Sequence, residues 1–251
     1  MRNLIELLNV DKRCVVDKRI TKVAISNNST LNASEKKILK EVINDIRWLA
    51  SYKPVNSAIP EFITQLESYD EIQIISVNFS DTKYSKQVIN LIQKSMPYFL
   101  VLLLEVGNKF SVSVAKKSIN QTDKLKRTID EVITSTWMDT SIDTSVNNDF
   151  IKQLNTKSFH NLHLKAFYQG FIRAIQQYEA NLLTGTVGKN SKGNTLKDGG
   201  DILKQIESLD KEIISLKSQI KKETVFSNKV HLNMTLKNLE GKREELIEEL
   251  K

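Results

Sequence analysis

The 251-residue chain reads as an α+β fold: a small mixed β-sheet with packed helices, a helical region, and a C-terminal coiled-coil helical hairpin. Three observations predict this. Between Ile72 and Val114 an apolar strand, an amphipathic helix, a second apolar strand and a tight turn succeed one another. Residues 136–183 carry apolar stripes at helical spacing, and residues 201–251 keep a heptad pattern. With 40% hydrophobic residues, the chain has enough apolar surface to bury a core.

Residues 1–135 are expected to form the sheet domain. In VDKRITKVAIS, residues 16–26, Lys18, Arg19 and Lys22 run directly into Val23, Ala24 and Ile25. The stretch reads either as a basic arm or as a solvated edge leading into a core. Asn32 or Ser34 caps a helix whose stripe is Ile38, Leu39, Val42, Ile43, Ile46 and Leu49, ending before Pro54. Ile72 to Phe79 reads as a strand. Ser85 to Ser95 is a helix with Val88, Ile89, Leu91 and Ile92 on one face, stopped by Pro97. Tyr98 to Val106 is apolar except at Glu105, as suits a strand buried on both faces. Gly107-Asn108 turns the chain, and Lys109 to Ala115 alternates Phe110, Val112 and Val114 with Ser111 and Ser113. Lys124 to Thr134 is expected as a helix, with Trp137 in the loop after it.

Residues 136–183 are expected to pack on the sheet as a helical region, from Phe150 to Leu154 and from Leu162 to Leu183. Residues 184–200 hold five glycines and three lysines and almost nothing apolar, the composition of a flexible linker. Beyond it, Ile202, Ile206, Leu209, Ile213, Leu216 and Ile220 step by four and three as an a/d seam. A second seam holds Leu232, Leu236, Leu239, Leu246 and Leu250, with Arg243 at the missing position. The repeat breaks between Lys221 and Lys229, so the tail is either an antiparallel hairpin or one stuttered helix that dimerises. Arms of about three heptads are too short to be stable alone. Ile206, Leu209, Ile213, Leu216, Leu232, Leu236 and Leu239 are therefore expected to bind a partner surface, in cis or in trans.

The net charge of +7 is concentrated in residues 1–60 and 151–200, the footprint of a polyanion partner. Lys18, Arg19 and Lys22, with Lys189 and Lys192 of the linker, are the candidate nucleic-acid contacts. No apolar run approaches the roughly 18 residues of a membrane span. Residues 1–10 do not read as a secretory signal. The single cysteine, Cys14, excludes an internal disulfide and a cysteine-based zinc site, and a cytoplasmic location is expected.

No complete catalytic motif, metal site or cofactor site is legible. A restriction-type nuclease needs an acid and then an acid-x-Lys triplet on neighbouring strands, but Val114 and Ala115 stand two residues before Lys116 and Lys117. A divergent metal-dependent nuclease using Glu71, Glu105 and Lys116 is the alternative, with Glu71-Ile72-Gln73 imitating the triplet. His160 and His163 are three apart without a third ligand and read as ordinary helix residues. Cys14, between Arg13 and Val15, reads as a core residue, and Trp48 and Trp137 as packing anchors. Gly199-Gly200 lacks the Gly-Lys-Ser/Thr ending of a phosphate loop.

Five segments carry a resemblance: VDKRITK (16–22), DIRWLASYKP (45–54), EIQIISVNF (71–79), MPYFLVLLLE (96–105) and STWM (135–138). With KETVFSNKVHLNMTLKNLEGK (222–242), they resemble a bacterial domain-of-unknown-function family, number 4391. Thr21 stands where that family usually has proline. The resemblance implies an accessory protein encoded beside helicases and DNA methyltransferases in restriction-like or anti-phage defence clusters, with no family active site. The expected function is thus a non-catalytic subunit that binds a helicase or methyltransferase partner and DNA. A self-assembling scaffold without nucleic acid is a further alternative.

Overall fold

A computed structural model describes residues 3–123, 127–185, 187 and 196–250. The chain forms two compact units, Met1–Ile175 and Gln176–Lys251.

The strands are β1 (Val15–Arg19), β2 (Ile43–Tyr52), β3 (Phe62–Ile63), β4 (Ser68–Tyr69), β5 (Ile72–Phe79), β6 (Phe99–Val106), β7 (Lys109–Ile119), β8 (Arg127–Thr134) and β9 (Met138–Asp139). The helices are α1 (Leu4–Leu7), α2 (Lys22–Asn28), α3 (Ala33–Lys37), α4 (Pro54–Ser57), α5 (Ser85–Ser95), α6 (Ser145–Gln153), α7 (Leu164–Thr184), α8 (Leu196–Lys222) and α9 (Phe226–Glu249). In the first unit, a seven-stranded mixed sheet runs β1-β2-β5-β6-β7-β8, with β9 also paired to β7, and β3 and β4 make a small ribbon. The parallel pair β5 and β6 is joined by α5, and the other neighbours are antiparallel. Phe99 to Leu104 are all buried, which explains the unbroken apolar run of β6.

Alternation sends Ile75, Val77, Phe79, Leu100, Leu102 and Leu104 to one sheet face, where they pack under α5 and Ile38, Leu39 and Val42. The opposite face carries Phe99 and Tyr52. Tyr168 of α7 meets Phe99 edge-on at 5.2 Å, and Phe167 meets Tyr52 at 4.5 Å.

Two expected helices are corrected. Asn32 caps as expected, in a capping box with Glu35, but the helix it starts is only α3 and one π turn, Ile38–Val42. Ile43 onward is β2. Bulges between Ile43 and Asp45 and between Trp48 and Ala50 leave Ile43, Ile46 and Leu49 buried at intervals of three, so a twice-bulged strand imitates a helical stripe. Likewise Arg127–Thr134 is a strand, rich in the β-branched residues Thr128, Ile129, Val132, Ile133 and Thr134. Residues 124–126 lie outside the described residues.

In the second unit, α8 and α9 form the helical hairpin, turning at Glu223–Val225. The turn is held by Glu223, whose carboxylate accepts from the backbone N–H groups of Thr224 and Val225, both at 2.8 Å. The antiparallel register is marked by Lys217–Glu240 at 2.8 Å and Arg243–Asp210 at 2.5 Å. Arg243, at the gap in the second seam, thus closes that gap with an ion pair. Leu196 to Gly200, part of the stretch expected as linker, are the first residues of α8. There Gly200 packs against the side-chain amide of Gln176. Among the described residues no helix is long and apolar enough to cross a membrane.

Candidate functional site

The basic stretch does not stay together. β1 pairs with β2 so that Lys18 stands opposite Trp48 and Arg19 opposite Arg47. Strand alternation therefore sends the two side chains to opposite faces. Arg19 is held by Asp45 at 2.7 Å, beside a second pair, Arg47 with Asp17, also at 2.7 Å. Lys18 remains exposed, opposite Trp48 on the face that α5 covers. Lys22 opens α2, where Thr21 serves as the N-cap, accepting from the N–H of Ala24 at 3.1 Å. The Lys22 ammonium donates to the carbonyl of Lys40 at 2.9 Å, which brings these two lysines side by side. Lys36 lies four residues before Lys40 on the same exposed flank. The nearby acids are engaged elsewhere: Glu41 with Lys37 at 4.0 Å and Glu35 with Lys94 at 3.0 Å. The result is a flank bearing Lys18, Lys22, Lys36 and Lys40. Sequence reasoning missed Lys36 and Lys40, whose signal was their four-residue spacing on the polar side of the stripe.

Glu71, Glu105 and Lys116 do not converge. Glu71 is 5% exposed. Its Oε1 accepts from Ser51 at 2.7 Å and from Gln73 at 2.8 Å, and its Oε2 meets the Lys53 ammonium at 3.2 Å. This knot ties the end of β2 to the start of β5. Glu105 lies beside Asn78 at the far end of β5, about 20 Å along the strand, and accepts from Ser76 at 3.1 Å. There it lines a cavity of about 330 Å³ with Leu4, Asn78, Lys109 and Thr140. Lys116 pairs with Glu131 at 2.9 Å. Among the described residues no three His, Cys, Asp or Glu side chains gather as a metal site.

The neighbouring lysine is the more unusual one. Lys117 is 2% exposed. Its ammonium donates to the carbonyls of Gln93 at 2.9 Å, Met96 at 3.2 Å and Tyr98 at 2.7 Å, so it binds the end of α5 to the start of β6. Burial, reinforced by the charge of Arg127, pushes its pKa down to about 7.

The remaining candidates are structural. Cys14 is buried, and burial, followed by the charge of Asp11, pushes its thiol up to about 11, away from the thiolate a nucleophile needs. His163 Nδ1 accepts from the N–H of Ala166 at 3.0 Å at the start of α7, whereas His160 is exposed. Trp48 donates to the carbonyl of Ala50 at 2.9 Å, and Trp137 packs edge-on against Phe79 at 5.9 Å, both partly buried on the core.

In the hairpin, Ile206, Ile213 and Leu216 are buried and Leu209, Leu232, Leu236 and Leu239 half-buried. They lie along the seam between its two arms. Lys189 and Lys192 lie outside the described residues.

Fold and surface together define an α+β protein with a lysine-bearing flank and an appended helical hairpin. The chain belongs to the family described as Domain of unknown function (DUF4391), which matches residues 8–242. No curated protein and no solved structure matches it.

Proposed function

We propose that this protein is a non-catalytic accessory subunit of a DNA-directed complex in the cytoplasm, of the helicase- or methyltransferase-bearing kind used in anti-phage defence or restriction. The body lays its lysine flank on duplex DNA while the hairpin engages the protein partner. The observation that carries this reading is the flank itself: Lys18, Lys36 and Lys40 are exposed and Lys22 half-buried beside them, while Glu35 and Glu41 are engaged by other lysines. Ammonium groups so placed neutralise phosphates and release counterions, an interaction that positions the protein without reading sequence. The separation of Glu71 from Glu105 by most of a strand supports binding over metal-assisted cleavage.

Replacing Lys18, Lys22, Lys36 and Lys40 together by Ala tests the reading. Affinity for duplexes of unrelated sequence should fall in parallel, and the slope of log affinity against log salt should shrink by about 0.9 for each phosphate no longer neutralised. Fluorescence anisotropy across a salt series measures both. An unaltered slope in a folded variant would remove the flank from the interface.

A further inference from the structure

The seam of the hairpin is closed on itself, yet α9 has a second apolar face. Phe226, Val230 and Met234 are 80%, 43% and 64% exposed and follow one another at intervals of four. At about 100° per residue they make one ridge some 80° wide, on the side of α9 turned away from Leu232, Leu236 and Leu239. Val225, 51% exposed, is the residue that caps the start of α9. Apolar side chains scattered singly on a surface need no explanation, but an ordered row does.

The surroundings of the ridge are basic. Lys222, Lys229, His231 and Lys237 are exposed along this half of α9 and the turn. The acid among them, Glu223, is occupied by the backbone of Thr224 and Val225. On the other side of α9, between the two arms at the turn, lies a separate groove of about 480 Å³, lined by Gln219, Lys222, Glu223, Asn228, His231 and Leu232.

We infer that the hairpin tip is a docking ridge for an acidic amphipathic helix of a protein partner. Its apolar anchors would cover Phe226, Val230 and Met234, and its carboxylates would face Lys229 and Lys237. The charge selects this occupant. A second copy laid ridge on ridge would bring two sets of lysines together, whereas an acidic helix meets Lys229 beside the ridge and Lys237 at its C-terminal end. The inference rests on the accessory-subunit reading and specifies which chemistry the hairpin recognises.

The test uses the full chain and a synthetic helical peptide of about 18 residues, with Leu at the anchor positions and Glu beside them. Binding measured by anisotropy should weaken at least about tenfold with Phe226→Ser, and likewise with Lys229→Glu. A peptide with the same anchors and Lys in place of Glu should bind at least about tenfold more weakly than the acidic one. Phe226 is exposed, so its variant should keep the parent melting temperature and the parent affinity for duplex DNA, which separates failure of the ridge from failure of the DNA reading. Equal binding of the two peptides, or binding of neither, overturns the inference. So does a dimer that Phe226→Ser abolishes in sedimentation, or Phe226-dependent binding to phosphatidylglycerol vesicles.

Discussion

Lys117 sits where two strands part. The ladder between β6 and β7 runs from Val106 and Lys109 to Val101 and Val114; beyond it, the hydroxyl of Tyr168 accepts from the N–H of Ala115 at 2.9 Å and lies 3.0 Å from the carbonyl of Leu100. Lys117 fills the gap one step further with three carbonyls for its three N–H donors. Replacing Lys117 by Met leaves those carbonyls buried without a donor, and chemical denaturation should show a loss of about 1–3 kcal/mol at neutral pH. The pH dependence has a definite sign. Its folded pKa of about 7 lies below the ordinary 10.5, so between those values the unfolded chain holds the extra proton and stability rises with pH. The Lys117→Met variant should lack this rise, which is at most about 1.4 kcal/mol per pH unit, in melting scans from pH 7 to pH 10. None of this was legible in the string KKS, where Lys116 and Lys117 look alike. The register of β7 on β8 decides which of the two turns outward to Glu131 and which into the core, and the shift at this point has no residue signature.

At the scale of elements, legibility follows the length and purity of the pattern. β5, α5, β6 and the turn at Gly107 were readable because each is an unbroken period bounded by a stop such as Pro97. β2 was not, since its two bulges convert a period of two into the spacing of a helix, and only its pairing with β1 and β5 decides the matter. The hairpin was half readable: the seams are explicit, but antiparallel closure depends on the non-helical residues Glu223–Val225 and on the cross-arm pairs of Asp210 and Glu240. A charge in the seam should therefore strike the second unit alone. Ile213 is 6% exposed, and Ile213→Asp should cost the hairpin several kcal/mol, about the sum of lost burial and a desolvated carboxylate. Far-UV dichroism should lose helical signal. Tryptophan fluorescence should be unaltered, because Trp48 and Trp137 both lie in the first unit.

For the whole molecule, the positive excess was legible as an amount but not as a surface. The sequence grouped Lys18, Arg19 and Lys22 by adjacency, whereas the sheet sends Arg19 to Asp45 on the other face and the fold brings Lys40 to Lys22. Exposed apolar ridges are equally hidden, since Phe226, Val230 and Met234 carry the same residue types as a core stripe and only the direction of the seam tells them apart. The sheet order has one more consequence. It leaves β1 and β8 at the two margins, where unsatisfied backbone can template growth of a cross-β aggregate. β1 is guarded by its register shift and by Asp17, whose φ of 46° twists the strand out of a flat edge. β8 is longer, so its guard is charge: Asp130 is exposed on the side of Val132, itself 37% exposed. Asp130→Val would join two apolar side chains on that margin, and on prolonged incubation below the melting temperature should raise thioflavin-positive precipitate well above the parent. Asp130 would thus act as the gatekeeper of β8, keeping its margin from pairing with that of another copy.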